Sequence, residues 1–534
     1  MKSMLSTNNC FLLRLFTAVV VLLTALPVRA QISQEWEFNY NGTELVGDMG
    51  WDIAVDANGN SIAVGYENDK DAVVTKYDPA GNLLWSIAHN GSANDVDIFY
   101  AVALDATNNI YVTGLSQEIG SSWDIITNKY SPEGDLMWSK LKNGTSDIEE
   151  NGIDIAVDEE GNVYTAGYID QIETAQDYCL IKYDNDGNEL WMETWSGESA
   201  LSDVIYEIVI DGNGNIIVNG RSDGGGENYD DFATAKYSPD GTLLWLNKYH
   251  QIYGETGFTI DVDDAGNVYA GGWAADGISM GDALIIKYSP DGENLWEQRY
   301  DNGAEGISEA WVIRTFNDVV YMAGVSADFP ETNQDFMILK YDSDGNLIWD
   351  IAYDDGSADN EYLTDMDIDN EGNIVVSGTI YYETTSDILT QKYDADGNLI
   401  WSIKYDGDAN SVDEGYAVAT DNDGNVFITG FDINQGMYTD LFVVKYSEAI
   451  IENILQDNSP EFVIYPNPAD EMIFIDAPFL DGDVYIYNSI GQLVQSNHIN
   501  NVNRSIAVDE LVAGNYFIFC TTNKETGWGN FIIK

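Results

Sequence analysis

The chain contains three histidines, His89, His250 and His498, and no two of them stand at the spacing of a metal-binding pair. There is no G-x-S-x-G elbow and no phosphate-cradling glycine loop followed by Lys, so nucleophilic catalysis has no visible residue set. Asp184-Asn185-Asp186-Gly187-Asn188 begins like a calcium loop. An EF-hand needs Gly sixth and Glu twelfth, whereas Gly187 is fourth and the twelfth residue is Trp195, and Asp, Asn and Gly are also what a hairpin turn demands. A different recurrence is more informative. Asp48, Asp97, Glu150, Asp203, Glu255, Glu361 and Asp413 each lie eight residues before an aspartate or its counterpart that ends an apolar segment. Carboxylates repeated in this way would either ring a common mouth and hold a cation such as Ca²⁺, or satisfy backbone donors and repeat lysines within each unit. Paired carboxylates for glycoside cleavage carry no signal of their own, because 91 acidic residues bring some pair together by chance.

The elements that position these acids follow from an eightfold register. D-x-x-x-x-K-Y begins at Asp71, Asp124, Asp177, Asp231, Asp282, Asp335, Asp387 and Asp440, and its lysines, Lys76 to Lys445, are 51 to 54 residues apart. Each unit reads as four short strands: an apolar segment ending in Asp (Tyr100 to Asp105), a G-N-x-x-x-x-G strand (Gly161 to Gly167), the D-x-x-x-x-K-Y strand, and a Trp strand (Leu83 to His89). Turn clusters at 56 to 60 and 78 to 82 supply the positive φ and Asx hydrogen bonds of tight hairpins. Four antiparallel strands every 50 residues or so predict propeller blades. The eighth unit, Tyr416 to Tyr446, has no Trp strand, and a spare one, Trp36-Glu37-Phe38-Asn39-Tyr40, precedes the first unit. The expected fold is therefore all-β: an eight-bladed propeller over residues 31–446, closed by its N-terminal strand.

Flanking segments complete the organisation. Lys2 and Arg14, the apolar run Leu15 to Pro27 and Val28-Arg29-Ala30 compose a secretory signal peptide over residues 1–30, with cleavage after Ala30. That run is too short to span a bilayer, which takes about 20 helical residues. No other stretch qualifies as a transmembrane segment. Removing the leader's three basic residues leaves 19 Lys and Arg against 91 Asp and Glu, a formal charge near −72. Such a surface excludes nucleic acid and anionic membranes as partners. Disorder does not follow, since 33 Tyr and 14 Trp supply a core. Cys179 and Cys520 fall in different expected domains and imply no disulfide. Residues 447–460 read as a linker, and 461–534 as a small antiparallel sandwich.

In sequence the repeats over about residues 36 to 446 resemble the SBBP family of bacterial β-propeller repeats, whose units join an Asp-ended strand, a G-N-x-Y-x-x-G strand and a K-Y strand. The sixth unit departs: Thr315 stands where the Asp recurs and Asn317-Asp318 replaces Gly-Asn, which affects its local turn. Comparison with the Asp box of sialidase propellers fails at Ser238-Pro239-Asp240-Gly241, where Asp and Gly are adjacent. Quinoprotein blades differ in interval and in an absent Thr, so no quinone cofactor is expected. Tyr465-Pro466-Asn467-Pro468, Val484 to Gln492, Leu511 to Tyr516 and the terminal Phe531-Ile532-Ile533-Lys534 resemble, in order, the type A sorting domain of the type IX secretion system of Bacteroidota. That resemblance implies export across both membranes, the secretion machinery as a partner, and release or attachment at the cell surface.

Function on a propeller is expected where blades differ, in the loops Ser116 to Ser122, Arg221 to Asp230, Trp273 to Gly281 and Ser326 to Gln334, with Trp123, Tyr229 and Trp273 as sugar-stacking residues or loop anchors. The expectation is a non-enzymatic binding module for a polysaccharide or surface protein. Its rivals are a polysaccharide-active enzyme using carboxylates at the channel mouth, and a structural spacer.

Overall fold

A five-residue turn sets the local structure. In Asp56-Ala57-Asn58-Gly59-Asn60, Oδ1 of Asp56 accepts the backbone N–H groups of Asn58 at 2.9 Å and Asn60 at 3.0 Å, while Gly59 takes φ +76°. The same Asx-turn recurs between strands, as at Asp184 to Asn188 (2.8 Å from Asn188 N to Asp184 Oδ1), which places the calcium-like stretch in a hairpin, and at Ser131, Ser238 and Ser289 a serine hydroxyl takes the aspartate's part.

The computed structural model describes residues 31–449 and 463–534, apart from loop interruptions of one to six residues; the signal peptide with its Ala30 cleavage site and most of the expected linker lie outside the described residues. Residues 32–449 form one compact unit and residues 450–534 belong to a second. Among the described residues every regular element is a strand.

The first unit holds eight four-stranded sheets among its described residues. The first comprises Met49–Val55, Ser61–Glu67, Asp71–Tyr77 and Leu83–His89, paired antiparallel in sequence order. The next six repeat that order. The last comprises Glu414–Thr420, Val426–Asp432 and Asp440–Ala449, with Gln31–Tyr40 beside the third strand. That third strand runs three residues past Tyr446, and Glu448 in the extension accepts the Trp401 indole N–H at 3.0 Å.

Second and third strands are buried almost throughout, and the cores lie between consecutive sheets. Ile53, Ala63, Val73 and Tyr77 of the first sheet pack with Ala417, Phe427, Leu441 and Val443 of the last, and Trp36 lies against both Tyr77 and Phe427.

A polar junction accompanies each core. The repeat lysine and the fourth-strand Trp of one sheet donate to the same carbonyl in the following sheet's last turn: Lys236 Nζ and Trp245 Nε1 reach Pro290 O at 3.3 and 3.1 Å. Lys76 with Trp85, Lys182 with Trp191 and Lys287 with Trp296 do the same on Pro132, Pro239 and Ser343. Lys445 and Trp36 share Pro79 O, at 3.4 and 3.1 Å. Lys236 also pairs with buried Asp211 at 2.8 Å, as Lys76 does with Asp56 at 2.9 Å, so these two lysines are held by their own sheet and the next. The turn glycine completes the seat. Gly292 sits at φ +84°, and a Cβ there would lie 2.6 Å from the Trp245 ring.

In the second unit, two sheets enclose Ile464, Ile473, Ile475, Val484, Ile486, Ile518 and Phe531. Ala469 exchanges backbone hydrogen bonds with the last strand, Ala469 N to Ile532 O at 2.7 Å and Lys534 N to Ala469 O at 3.1 Å, and the Asn467 side chain accepts from Ile532 N at 3.0 Å. The Y-P-N-P stretch and the terminal stretch thus meet.

Gly292→Ala is expected to cost about 1–2 kcal/mol from the left-handed backbone alone, plus the clash with Trp245, and Trp245→Phe, losing one hydrogen bond, about 1 kcal/mol. Urea midpoints of the two variants check this, and no loss in Gly292→Ala would contradict the seat.

Candidate functional site

A glycine and a bulge shape the centre of the first unit. In the first sheet the pairing of the first two strands skips one residue between Gly50 and Asp52, and opposite the skip a Cβ on Gly65 would fall 1.8 Å from the carbonyl oxygen of Met49. Only glycine fits there. The last glycine of G-N-x-x-x-x-G plays this part in all eight sheets, as at Gly167, Gly220 and Gly430. A bulge re-aims the side chain of its extra residue. Those residues are Trp51, Tyr100, Ile153, Tyr206, Phe258, Trp311, Thr364 and Tyr416.

Six of the eight bulge residues are aromatic, and they touch from sheet to sheet. Trp51 stacks on Tyr416 at 4.8 Å and meets Tyr100 edge-on at 5.7 Å. Phe258 stacks on Trp311 at 5.5 Å and contacts Tyr206 at 5.9 Å. Two aromatic arcs result, separated by Ile153 and Thr364. Trp311 is 41% exposed, so its ring is open to solvent.

One residue further along lies a polar layer. Asp52, Asp154, Glu207 and Asp365 each accept a backbone N–H from the first strand of the following sheet, those of Val102, Ile208, Ile260 and Val418, at 2.7 to 2.9 Å. Asp261 and Asp367, two positions on, cap Thr315 and Thr420 in the same way. The first strands converge on a shared space, since Arg314 of the sixth sheet reaches Glu207 of the fourth at 3.2 Å and Asp365 of the seventh at 3.8 Å. Burial pushes the Asp52 carboxyl up to about 6 and those of Asp154 and Asp365 to about 7. Glu207 and Asp52 raise Asp154 further, whereas Arg314 opposes the rise at Asp52 and Asp365. The arrangement places flat apolar faces beside carboxylates, two of which, Asp154 and Asp365, titrate near neutrality.

The seven acids singled out in sequence sit elsewhere, just before or at the start of the first strand. All are buried: Asp48, Asp97, Glu150, Asp203, Glu255, Glu361 and Asp413. The four aspartates bind loop amides: Asp48 those of Gly42 and Asn68, Asp97 those of Gly91 and Gln117, Asp203 those of Gly197 and Asp223, and Asp413 those of Gly407 and Ile433. The backbone N–H of such an acid also crosses to the preceding sheet, as from Asp97 to Lys70 O at 2.6 Å. Each of these four aspartates engages its own sheet and the one before it, whereas neither carboxylate oxygen of Glu150 or Glu255 accepts a hydrogen bond. In the sixth sheet Ser308 takes the acid's place and Phe316, not Thr315, occupies the register of the strand-ending Asp, with Asn317 and Asp318 both at positive φ in a two-residue turn. That departure reaches beyond its turn, because it carries Arg314. Trp123 and Trp273 lie within or at the start of strands rather than in loops, and Tyr229 lies outside the described residues. The collar went unnoticed in the sequence although it stands three residues after each recurring acid.

Residues 230–489 match the family described as outer membrane protein assembly factor BamB, and residues 463–534 match the secretion system C-terminal sorting domain. Similar solved structures include the β-propeller domain of the Trilobed protease from Pyrococcus furiosus (8% identity, TM-score 0.39, covering 67% of this chain and 98% of that one). A putative 6-phosphogluconolactonase from Bacteroides uniformis is another (14% identity, TM-score 0.38, covering 68% and 97%). At these scores neither bears on function. No curated protein matches the chain. The first unit is built of β-propeller repeats. The second is a secretion-system C-terminal sorting domain, which marks the chain for export to the surface or the medium.

Because the folded carboxyl of Asp154 titrates near 7 and an unfolded one near 3.9, the folded state holds more protons between those values, so stability falls as pH rises through that window. Asp154→Asn is expected to flatten the decline of melting temperature between pH 4 and 7. An unchanged slope would contradict the placement of Asp154.

Proposed function

We propose that the chain is an exported, closed eight-bladed propeller that binds polysaccharide at its axial aromatic collar and performs no chemistry on it. The observation that carries this reading is the collar itself: Trp51, Tyr100, Tyr206, Phe258, Trp311 and Tyr416 at bulge positions over a carboxylate layer. Aromatic faces stack on the apolar faces of sugar rings, and carboxylates accept hydrogen bonds from hydroxyls. Closure is supported by the pairing of Gln31–Tyr40 with the last sheet and by Trp36 and Lys445 meeting at Pro79 O. Export runs through a signal peptide removed after Ala30 and the type IX machinery engaging residues 461–534. A ring of cations at Asp48 and its counterparts is not needed for this role.

The second reading is a polysaccharide hydrolase, favoured by the raised pKa of Asp154 beside Glu207. One set of assays separates the two. Glycan arrays and calorimetry on the purified chain are expected to find a ligand with no reducing-end release, weakened about tenfold, close to 1.4 kcal/mol, by Trp311→Ala. Reducing-end release abolished by Asp154→Asn would establish the hydrolase instead. Neither binding nor turnover would leave a spacer.

A further inference from the structure

Where the fourth sheet meets the fifth, three groups capable of ligating a metal come together: Asp231 at the start of a third strand, His250 just after a fourth, and Glu255 at the start of the next first strand. Their ligand atoms all lie within 4.8 Å of one another. Nδ1 of His250 is 2.5 Å from Oδ1 of Asp231.

The repeat shows why this junction differs. At the four aspartate junctions the acid receives two backbone amides, for example Gly91 N at 2.7 Å and Gln117 N at 2.9 Å on Asp97, whereas Glu150 and Glu255 are buried with neither carboxylate oxygen bonded, and of these two only Glu255 has a histidine beside it. The residue preceding that glycine is Asn41, Asn90 or Ser196 at three other junctions, and Asn41 donates to Asp440 at 3.0 Å. Between the fourth and fifth sheets the loop is two residues shorter, histidine replaces the asparagine, and Gln251 replaces the glycine. Burial raises the pKa of Glu255, the nearby Gln251 amide opposing the rise, and neither carboxylate oxygen accepts a hydrogen bond of normal geometry. The second amide, that of Ala275, is spent on Gly254 O at 3.1 Å. Glu255 is consequently 0% exposed with neither carboxylate oxygen bonded. A buried carboxylate without partners is costly unless it is protonated or bound to a metal.

We propose that Asp231, His250 and Glu255 bind one divalent transition-metal ion of the zinc class, independently of any glycan. One imidazole nitrogen and two carboxylate oxygens suit Zn²⁺ better than Ca²⁺, which prefers six to eight oxygens, and three protein ligands leave a fourth position open. The ion takes the place of the contact between His250 and Asp231 and supplies the counter-charge Glu255 lacks. Lys248 Nζ, 3.8 Å from Asp231 Oδ2, is the local competitor, and Arg299 is engaged by Asp282 at 3.5 Å. His250 is 57% exposed along its side chain, so metal has access and His250→Ala leaves the core intact.

The test is titration of the tag-free, chelator-stripped full chain with Zn²⁺, Co²⁺ and Ca²⁺ separately, by calorimetry and, for Co²⁺, visible absorption. One Zn²⁺ per chain at micromolar affinity or better is expected, weakened at least tenfold in His250→Ala and in Glu255→Gln, with Co²⁺ bands that shift in His250→Ala. Wild-type binding retained in His250→Ala would assign the ion to the acidic surface at large, and absence of stoichiometric binding would show that Glu255 is simply protonated; either overturns the proposal.

Discussion

The first unit depends on one repeated seat: an indole N–H and a lysine ammonium converging on a single turn carbonyl of the neighbouring sheet, with a glycine beneath the ring. Sheets with exposed edges and thin cores gain little alone, since each buries its apolar face only against a neighbour. The seat fixes how each sheet meets the next, and it couples the turn sequence of one repeat to the Trp strand of the one before. Where the eighth sheet lacks a following turn for Trp401 and Lys392, Glu448 supplies the acceptor to both, at 3.0 and 2.6 Å.

Fixing the periphery leaves the centre free to vary. The glycine-enforced bulge recurs in every sheet, yet the residue it re-aims ranges from Trp51 to Thr364, and the next polar position ranges from Asp52 to Ala417. Framework residues are thus repeated and channel residues are not, which is how one scaffold can carry a specific site. The charges at the centre are held by backbone amides of the next sheet rather than by abundant cations. Arg314 is the cation shared by Glu207, Asp261 and Asp365.

The periodic parts were legible in sequence because they recur: the D-x-x-x-x-K-Y segment, the Trp segment and the spare segment at Trp36 all appear as strands in the expected order, joined by the expected turns. The candidate site was not. Simple alternation puts Trp51 and Asp52 on opposite faces of a strand, and only the bulge turns both toward the neighbouring first strand, where Trp51 meets Tyr100 and Asp52 meets the Val102 amide. A bulge leaves no residue type of its own in the first strand. Its trace is the glycine on the partner strand, which reads equally well as a turn residue. Likewise the conspicuous aspartates such as Asp97 recur because they bind loop amides, and the cluster of Glu255 with His250 and Asp231 becomes visible only when loop lengths are compared.

The proposed ring closure rests on Gln31–Tyr40 serving as the fourth strand of the last sheet, with Trp36 seated on Pro79. Hydrogen exchange on the full chain measures this directly. A closed ring predicts amides in Ile32 to Tyr40 protected to the same order as those in Leu243–Tyr249, whereas exchange at free-peptide rates in Ile32 to Tyr40 would contradict it.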